Sequence, residues 1–141
     1  MALTIKVLLT TPFFAVSSEE NPPVSLVRVV RSSQPFANLL EARVQYEKVI
    51  LALDQHGRIG RFLLTDLRSA VGRSDPGWEA LIRELRPKLV RGYKRQGVLT
   101  KTAQGTLAVS RHAREDNQEI LISDSEEQLL SFFRIAAKLS R

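Results

Sequence analysis

The order of apolar and polar segments predicts an α/β fold, a mixed β-sheet of about five strands with about four helices. Three observations carry that expectation. Two β-leaning runs open the chain and are followed by alternating helix-like and strand-like segments. The helix-like segments repeat apolar residues at three- and four-residue spacing between recognisable caps. The chain has 141 residues, 43% hydrophobic and 26% charged, enough to bury a core, and is expected to form a single domain over residues 1–141.

Residues 3–16 form the first β-leaning run. Lys6, Val7-Leu8-Leu9 and Phe13-Phe14-Ala15-Val16 faintly imitate a secretory leader. Thr10, Thr11 and Pro12 interrupt the apolar run and only one positive charge precedes it, so a strand is expected. The second run, Val24 to Arg31, reads VSLVRVVR. Between them Ser17-Ser18-Glu19-Glu20-Asn21-Pro22-Pro23 reads as a loop of turn formers, which makes the two runs an N-terminal hairpin.

Gln34-Pro35-Phe36-Ala37 opens a helix to about Asp54, with Leu39, Leu40, Val44, Tyr46, Val49, Ile50, Leu51 and Leu53 on a broad core-facing side. His56-Gly57 closes it. Residues 61–66, RFLLTD, read as a central strand. A loop from Ser69 to Pro76 leads to a second helix over residues 77–95. Ser74 or Asp75 serves as its N-cap and Pro76 sits in its first turn. Trp78, Leu81, Ile82, Leu85, Leu89 and Tyr93 define the buried side, and Pro87 is expected to kink or split the helix. Residues 97–100 form a short strand, Thr102 caps a third helix to about Arg114, and residues 119–122 form the last strand. Asp124 with Glu127 and Ser125 with Gln128 make overlapping capping boxes for a final helix, with Leu129, Leu130, Phe133, Ala136 and Ala137 inward.

The absence of cysteine excludes a disulfide scaffold, a thiolate metal site and a cysteine nucleophile, and fits a reducing, cytoplasmic setting. Two histidines leave little material for His-based catalysis or zinc. No phosphate-cradling glycine loop and no Gly-x-Ser-x-Gly elbow occurs. The chain therefore reads as non-enzymatic, with no catalytic residue, cofactor or metal assigned, and no run is long enough to span a membrane.

Net charge is +6, concentrated between Gly57 and Arg114, where thirteen basic residues meet four acidic ones. Arg83, Arg86, Lys88, Arg91, Lys94 and Arg95 on the second helix offer a weak case for nucleic-acid binding. Few stacking aromatics accompany them, and a solvated helix face is the preferred reading.

Asp66 ends the central strand, where catalytic carboxylates often sit, but pairing with Arg68 or Arg73 makes it a loop organiser. His112 in Arg111-His112-Ala113-Arg114 can serve as a general base or, with Arg111, as an anion contact, but a surface histidine without a role is the simpler reading. Glu115, Asp116 and Glu119 lack the ligand spacing of a calcium loop. The most suggestive local feature is Arg73-Ser74-Asp75-Pro76-Gly77-Trp78, where a helix N-terminus, a guanidinium and a hydroxyl can receive an anion or a regulatory phosphate. An ordinary N-cap is the simpler reading of the same residues.

The stretch DLRSAVGRSDPGWEALI, residues 66–82, resembles the strand–loop–helix core of STAS domains, the fold of anti-sigma-factor antagonists. Asp66-Leu67 and Gly77 fall at matching separations. The chain from Val24 onward also resembles uncharacterised bacterial proteins of the STAS/CRAL-TRIO-like group, through Asp66-Leu67-Arg68, Arg73 to Pro76, and Arg111 to Glu115. Asp75 and Pro76 occupy the two serine positions of the phosphorylated STAS turn, so phosphorylation-controlled switching would require Ser74 or Ser69. The resemblance implies a module that docks a protein partner near this turn, with Arg73, Ser74, Asp75 and Trp78 as candidate contacts. It implies as an alternative a carrier of a lipid or other small apolar or anionic ligand. The partner's identity and the oligomeric state are left open.

Overall fold

A computed structural model describes residues 3–73, 75–101 and 120–139. Six strands, β1 (Thr4–Thr10), β2 (Phe14–Asn21), β3 (Val24–Arg31), β4 (Phe62–Asp66), β5 (Arg95–Leu99) and β6 (Ile120–Ser123), form one sheet in sequence order. The described helices are α1 (Leu39–His56), α2 (Pro76–Val90) and α3 (Glu126–Leu139). The first three strands run antiparallel and β3 through β6 run parallel, so the expected mixed α/β sheet is present.

The sheet has six strands where about five were expected, because residues 3–16 hold a turn. Thr11 Oγ1 accepts the N–H groups of Phe13 (3.1 Å) and Phe14 (3.0 Å), which folds the chain back at Pro12. The polar segment from Ser17 to Asn21, expected as loop, is the second half of β2. Its polar side chains are matched across the sheet. Ser18 is buried, Glu19 pairs with Arg28, and Glu20 accepts a hydrogen bond from Ser25 at 2.7 Å. Only Pro22-Pro23 remains as the turn into β3. The third helix expected over residues 102–114 lies outside the described residues.

Both helical boundaries near Phe36 and Tyr93 also move. α1 begins at Leu39 because Asn38 caps it, accepting the Glu41 N–H at 2.8 Å, while the Glu41 carboxylate reaches back to the Ala37 N–H at 2.8 Å. α2 retains Pro87 within one helix and stops at Val90, since Arg91 is extended and Gly92 takes a φ of +83°. Lys94 and Arg95 therefore leave the helix, and Arg95 starts β5. The six basic residues expected on one helix do not share it.

α1 and α2 cross over between parallel strands and so cover one face of the sheet. Ala42, Val49, Ile50 and Leu53 of α1 and Leu81, Leu85 and Leu89 of α2 pack there on Val16, Val27, Val29 and Leu63. The opposite face is covered by α3, whose Leu129, Phe133, Ala136 and Ala137 meet Val24, Leu26, Phe62, Leu64 and Leu99. Phe62 and Phe133 stack with centroids 4.9 Å apart. Each fully buried Leu, Val or Phe in these layers is worth about 1.5–3 kcal/mol relative to exposure. The broad apolar side expected for α1 is narrower in the structure, because Leu40, Val44 and Leu51 point to solvent.

Candidate functional site

Parallel strands deliver their C-terminal ends, and the N-termini of the helices that follow, to one edge of the sheet. Asp66 ends β4 there, 7% exposed. Its Oδ1 accepts the Arg68 backbone N–H and Nε, both at 3.0 Å, and its Oδ2 accepts Arg68 NH2 at 2.7 Å. Burial pushes the Asp66 carboxyl up, but the Arg68 bonds and the charges of Arg68 and Arg28 together hold it below its usual value. On the same face Arg28 joins Glu19 and, at 2.8 Å, Glu126 of α3, and Glu126 lies 3.8 Å from Arg68. Glu19, Arg28, Glu126, Arg68 and Asp66 thus form a continuous run of alternating charge. Asp66 has its Arg68 partner, and Arg73 pairs elsewhere.

Arg73 bonds Asp75 through Nε (3.0 Å) and NH2 (2.8 Å). Asp75 is the N-cap of α2, its Oδ1 accepting the Trp78 N–H at 3.0 Å, with Pro76 in the first turn. That N–H bond and Arg73 hold the exposed Asp75 carboxyl below its usual value. The Arg73 guanidinium sits 5.0 Å from the Trp78 ring centroid. The structure thus brings Arg73, Asp75 and Trp78 together and, separately, Asp66 and Arg68. Ser74, Arg111 and His112 lie outside the described residues, as do Glu115, Asp116 and Glu119.

Two features here escape a reading of local windows. The first is an aromatic cluster in which Trp78 lies 6.0 Å from Phe36 and 6.2 Å from Tyr46, while Phe36 stacks on Phe13 at 5.0 Å. Arg31, at the end of β3, is buried against it. Its guanidinium lies 4.1 Å from the Phe36 centroid and donates to the Ser32 carbonyl at 2.8 Å. Burial lowers its pKa. Phe13, Pro35 and Phe36 were the available signal, but their convergence depends on the turn at Thr11.

The second is an open groove of about 230 Å³ between the N-terminal halves of α1 and α2. Leu39, Leu40 and Arg43 line one wall and Gly77, Ala80, Leu81 and Glu84 the other. Arg43 and Glu84 bridge it through a two-pronged ion pair, one contact of which is 2.9 Å. A Cβ on Gly77 would stand 2.8 Å from Leu39 Cδ1, so the glycine permits the close approach of the two walls. Leu40 is 69% exposed at the rim. Among the described residues no three His, Asp or Glu side chains gather as a metal site. None of the described helices is long and apolar enough to cross a membrane.

The sequence matches no protein-family model and no curated protein. Two solved structures are similar in fold. One is an uncharacterised protein of the DUF3478 family with a SpoIIAA-like fold from Shewanella loihica PV-4, at 14% identity, TM-score 0.62, covering 89% of this chain and 98% of that one. The other is an anti-sigma factor antagonist from Mycobacterium paratuberculosis, at 14% identity, TM-score 0.50, covering 89% and 99%. Strand order, helix placement and these likenesses agree that the chain has a STAS-like fold.

Proposed function

We propose that this protein is a non-enzymatic regulatory module that docks a protein partner at the N-terminal ends of α1 and α2. The partner covers Arg73, Asp75 and Trp78, with Ser74 between them in sequence as a further candidate contact, and extends into the neighbouring groove. The observation that carries this reading is the groove itself, apolar at Leu39, Leu40, Gly77 and Ala80, with Arg73 and the Trp78 ring at the start of the same helix. Apolar floor, aromatic anchor and arginine rim are the composition of a protein-binding hot spot. The acidic groups nearby support a non-catalytic role, because Asp66, Asp75 and Glu126 are each held by arginine. The anti-sigma factor antagonist of similar fold supports the regulatory class.

The test is affinity capture of the tagged chain from its native host, comparing wild type with an Arg73→Glu, Leu40→Lys double variant. Both residues are outside the core, so circular dichroism of the variant should match wild type. Loss of a stoichiometric partner from the double variant, with retention by Ile135→Lys on exposed α3 surface, is the expected result. Equal capture by all three proteins would remove this site from consideration.

A further inference from the structure

Among the described residues β1 pairs only with β2 and is an edge strand, so every second backbone N–H and C=O along it points away from the sheet. Sheet edges are ordinarily blunted by charge, bulges or shortness. β1 has seven residues, and its bulge lies between Val7 and Leu9, which leaves the stretch before it regular. Lys6 is the one charged residue in that stretch. On one face Leu3, Ile5 and Val7 are 50%, 59% and 68% exposed.

We propose that this edge joins two copies of the chain. Their β1 strands pair antiparallel across a two-fold axis at Ile5, so that Leu3, Ile5 and Val7 face the partner's Val7, Ile5 and Leu3. The arrangement of charge selects a second copy over other occupants. In this register Lys6 faces the partner's Thr4, and Thr4 pairs with Glu20 in its own sheet. Two strand spacings of roughly 4.8 Å separate Lys6 from the partner's Glu20, on the same face, a span that the two long side chains close. The two-fold axis makes that contact twice. A register centred on Lys6 would oppose two ammonium groups, and one centred past Val7 would meet the bulge. Pairing over so few residues falls short of the roughly 1,000 Å² that a specific, stable interface clears, so the dimer is concentration-dependent.

The chain contains no cysteine, so single-cysteine variants report the register directly. Opposed residues of antiparallel strands have Cα atoms about 4.5–5.5 Å apart, within disulfide reach. Ile5→Cys should therefore give a disulfide-linked dimer under mild oxidation. Val7→Cys should not, because its two copies sit four residues apart along the strands, about 14 Å. Val7 is the more exposed of the two, so random collision would favour the wrong variant. Sedimentation velocity of wild type should show concentration-dependent dimers, weakened at least about tenfold by Ile5→Lys, which sets like charges face to face. Equal crosslinking of Ile5→Cys and Val7→Cys, or a wild type monomeric at every concentration, would overturn the proposal.

Discussion

The two ends of the α1–α2 pair are both organised by arginine, yet one is closed and the other open. At the C-terminal end Arg58 is 8% exposed and satisfies carbonyls that α2 leaves without intrahelical partners. Its NH1 donates to the Leu89 and Arg91 carbonyls at 2.8 Å each, its Nε to Asp54 at 2.9 Å, and its guanidinium lies 5.4 Å from the Tyr93 ring. Arg91 adds a second contact to Asp54 at 3.4 Å. At the N-terminal end Arg73 bonds the neighbouring Asp75 and lies over Trp78, and the Arg43–Glu84 pair is exposed above the groove. The buried arginine joins elements distant in sequence and is structural. The exposed ones join near neighbours or sit at a rim, and their removal alters a surface more than a fold.

The largest effect expected from this contrast is on stability at the closed end. Arg58→Ala should cost about 2–4 kcal/mol, since it strands two helix-terminal carbonyls and uncovers Tyr93. Urea denaturation measures the loss, and the folded fraction should still bind partner. Tyrosine ionisation reports burial in both regions. Burial pushes Tyr93, beside Arg58, up to about 12, and it also raises Tyr46 in the aromatic cluster with Phe36 and Trp78. These are the two tyrosines of the chain, so absorbance titration of the folded protein should show no phenolate step near pH 10.

A smaller effect, about 1–2 kcal/mol at neutral pH, is expected for Asp66→Asn, which weakens the charge-assisted bonds to Arg68. Its pH dependence has a fixed sign. The folded-state pKa of Asp66 is depressed, so its contribution is complete above the unfolded value near 3.8 and is lost as pH falls through the folded value. Denaturation at pH 7 and again in strong acid should show the wild-type advantage shrink. An advantage unchanged in acid would contradict the ion-pair account.

The smallest stability change is expected for Gly77→Leu. The new side chain displaces only the flexible, partly exposed end of Leu39, and better helix propensity offsets part of that strain, for a net change within about 1 kcal/mol. Because it fills the groove, it should nevertheless weaken partner binding at least about tenfold, as isothermal titration with the captured partner would show. Large binding loss with little stability loss at Gly77, and the reverse at Arg58, is the pattern that separates the two ends.

The sequence carried the local part of this picture. Residues 61–66 and 24–31 read as strands from composition alone, the Gly57 stop was visible as a single residue, and Asp75 was one of the two cap residues, with Ser74, that the sequence offered for α2. Gly57 N–H does reach the Leu53 carbonyl at 3.0 Å. What was not legible depended on partners far along the chain. Ser18, Glu19 and Glu20 looked like loop because the Arg28 and Ser25 that match them lie on the next strand. Phe36 looked like the first turn of a helix because the Arg31 and Phe13 that hold it belong to other elements. Leu40 and Val44 looked like core, since periodicity cannot tell a buried stripe from one awaiting a partner. The groove was missed for the same reason.

The most direct test of the account is hydrogen exchange of the chain alone and in complex with its captured partner. Slowed exchange is expected in residues 39–44 and 75–84, at the open ends of α1 and α2, with residues 53–61 and 89–95 unchanged. Protection confined to the Arg58 end would contradict it, and would make the closed end the surface that the partner reads.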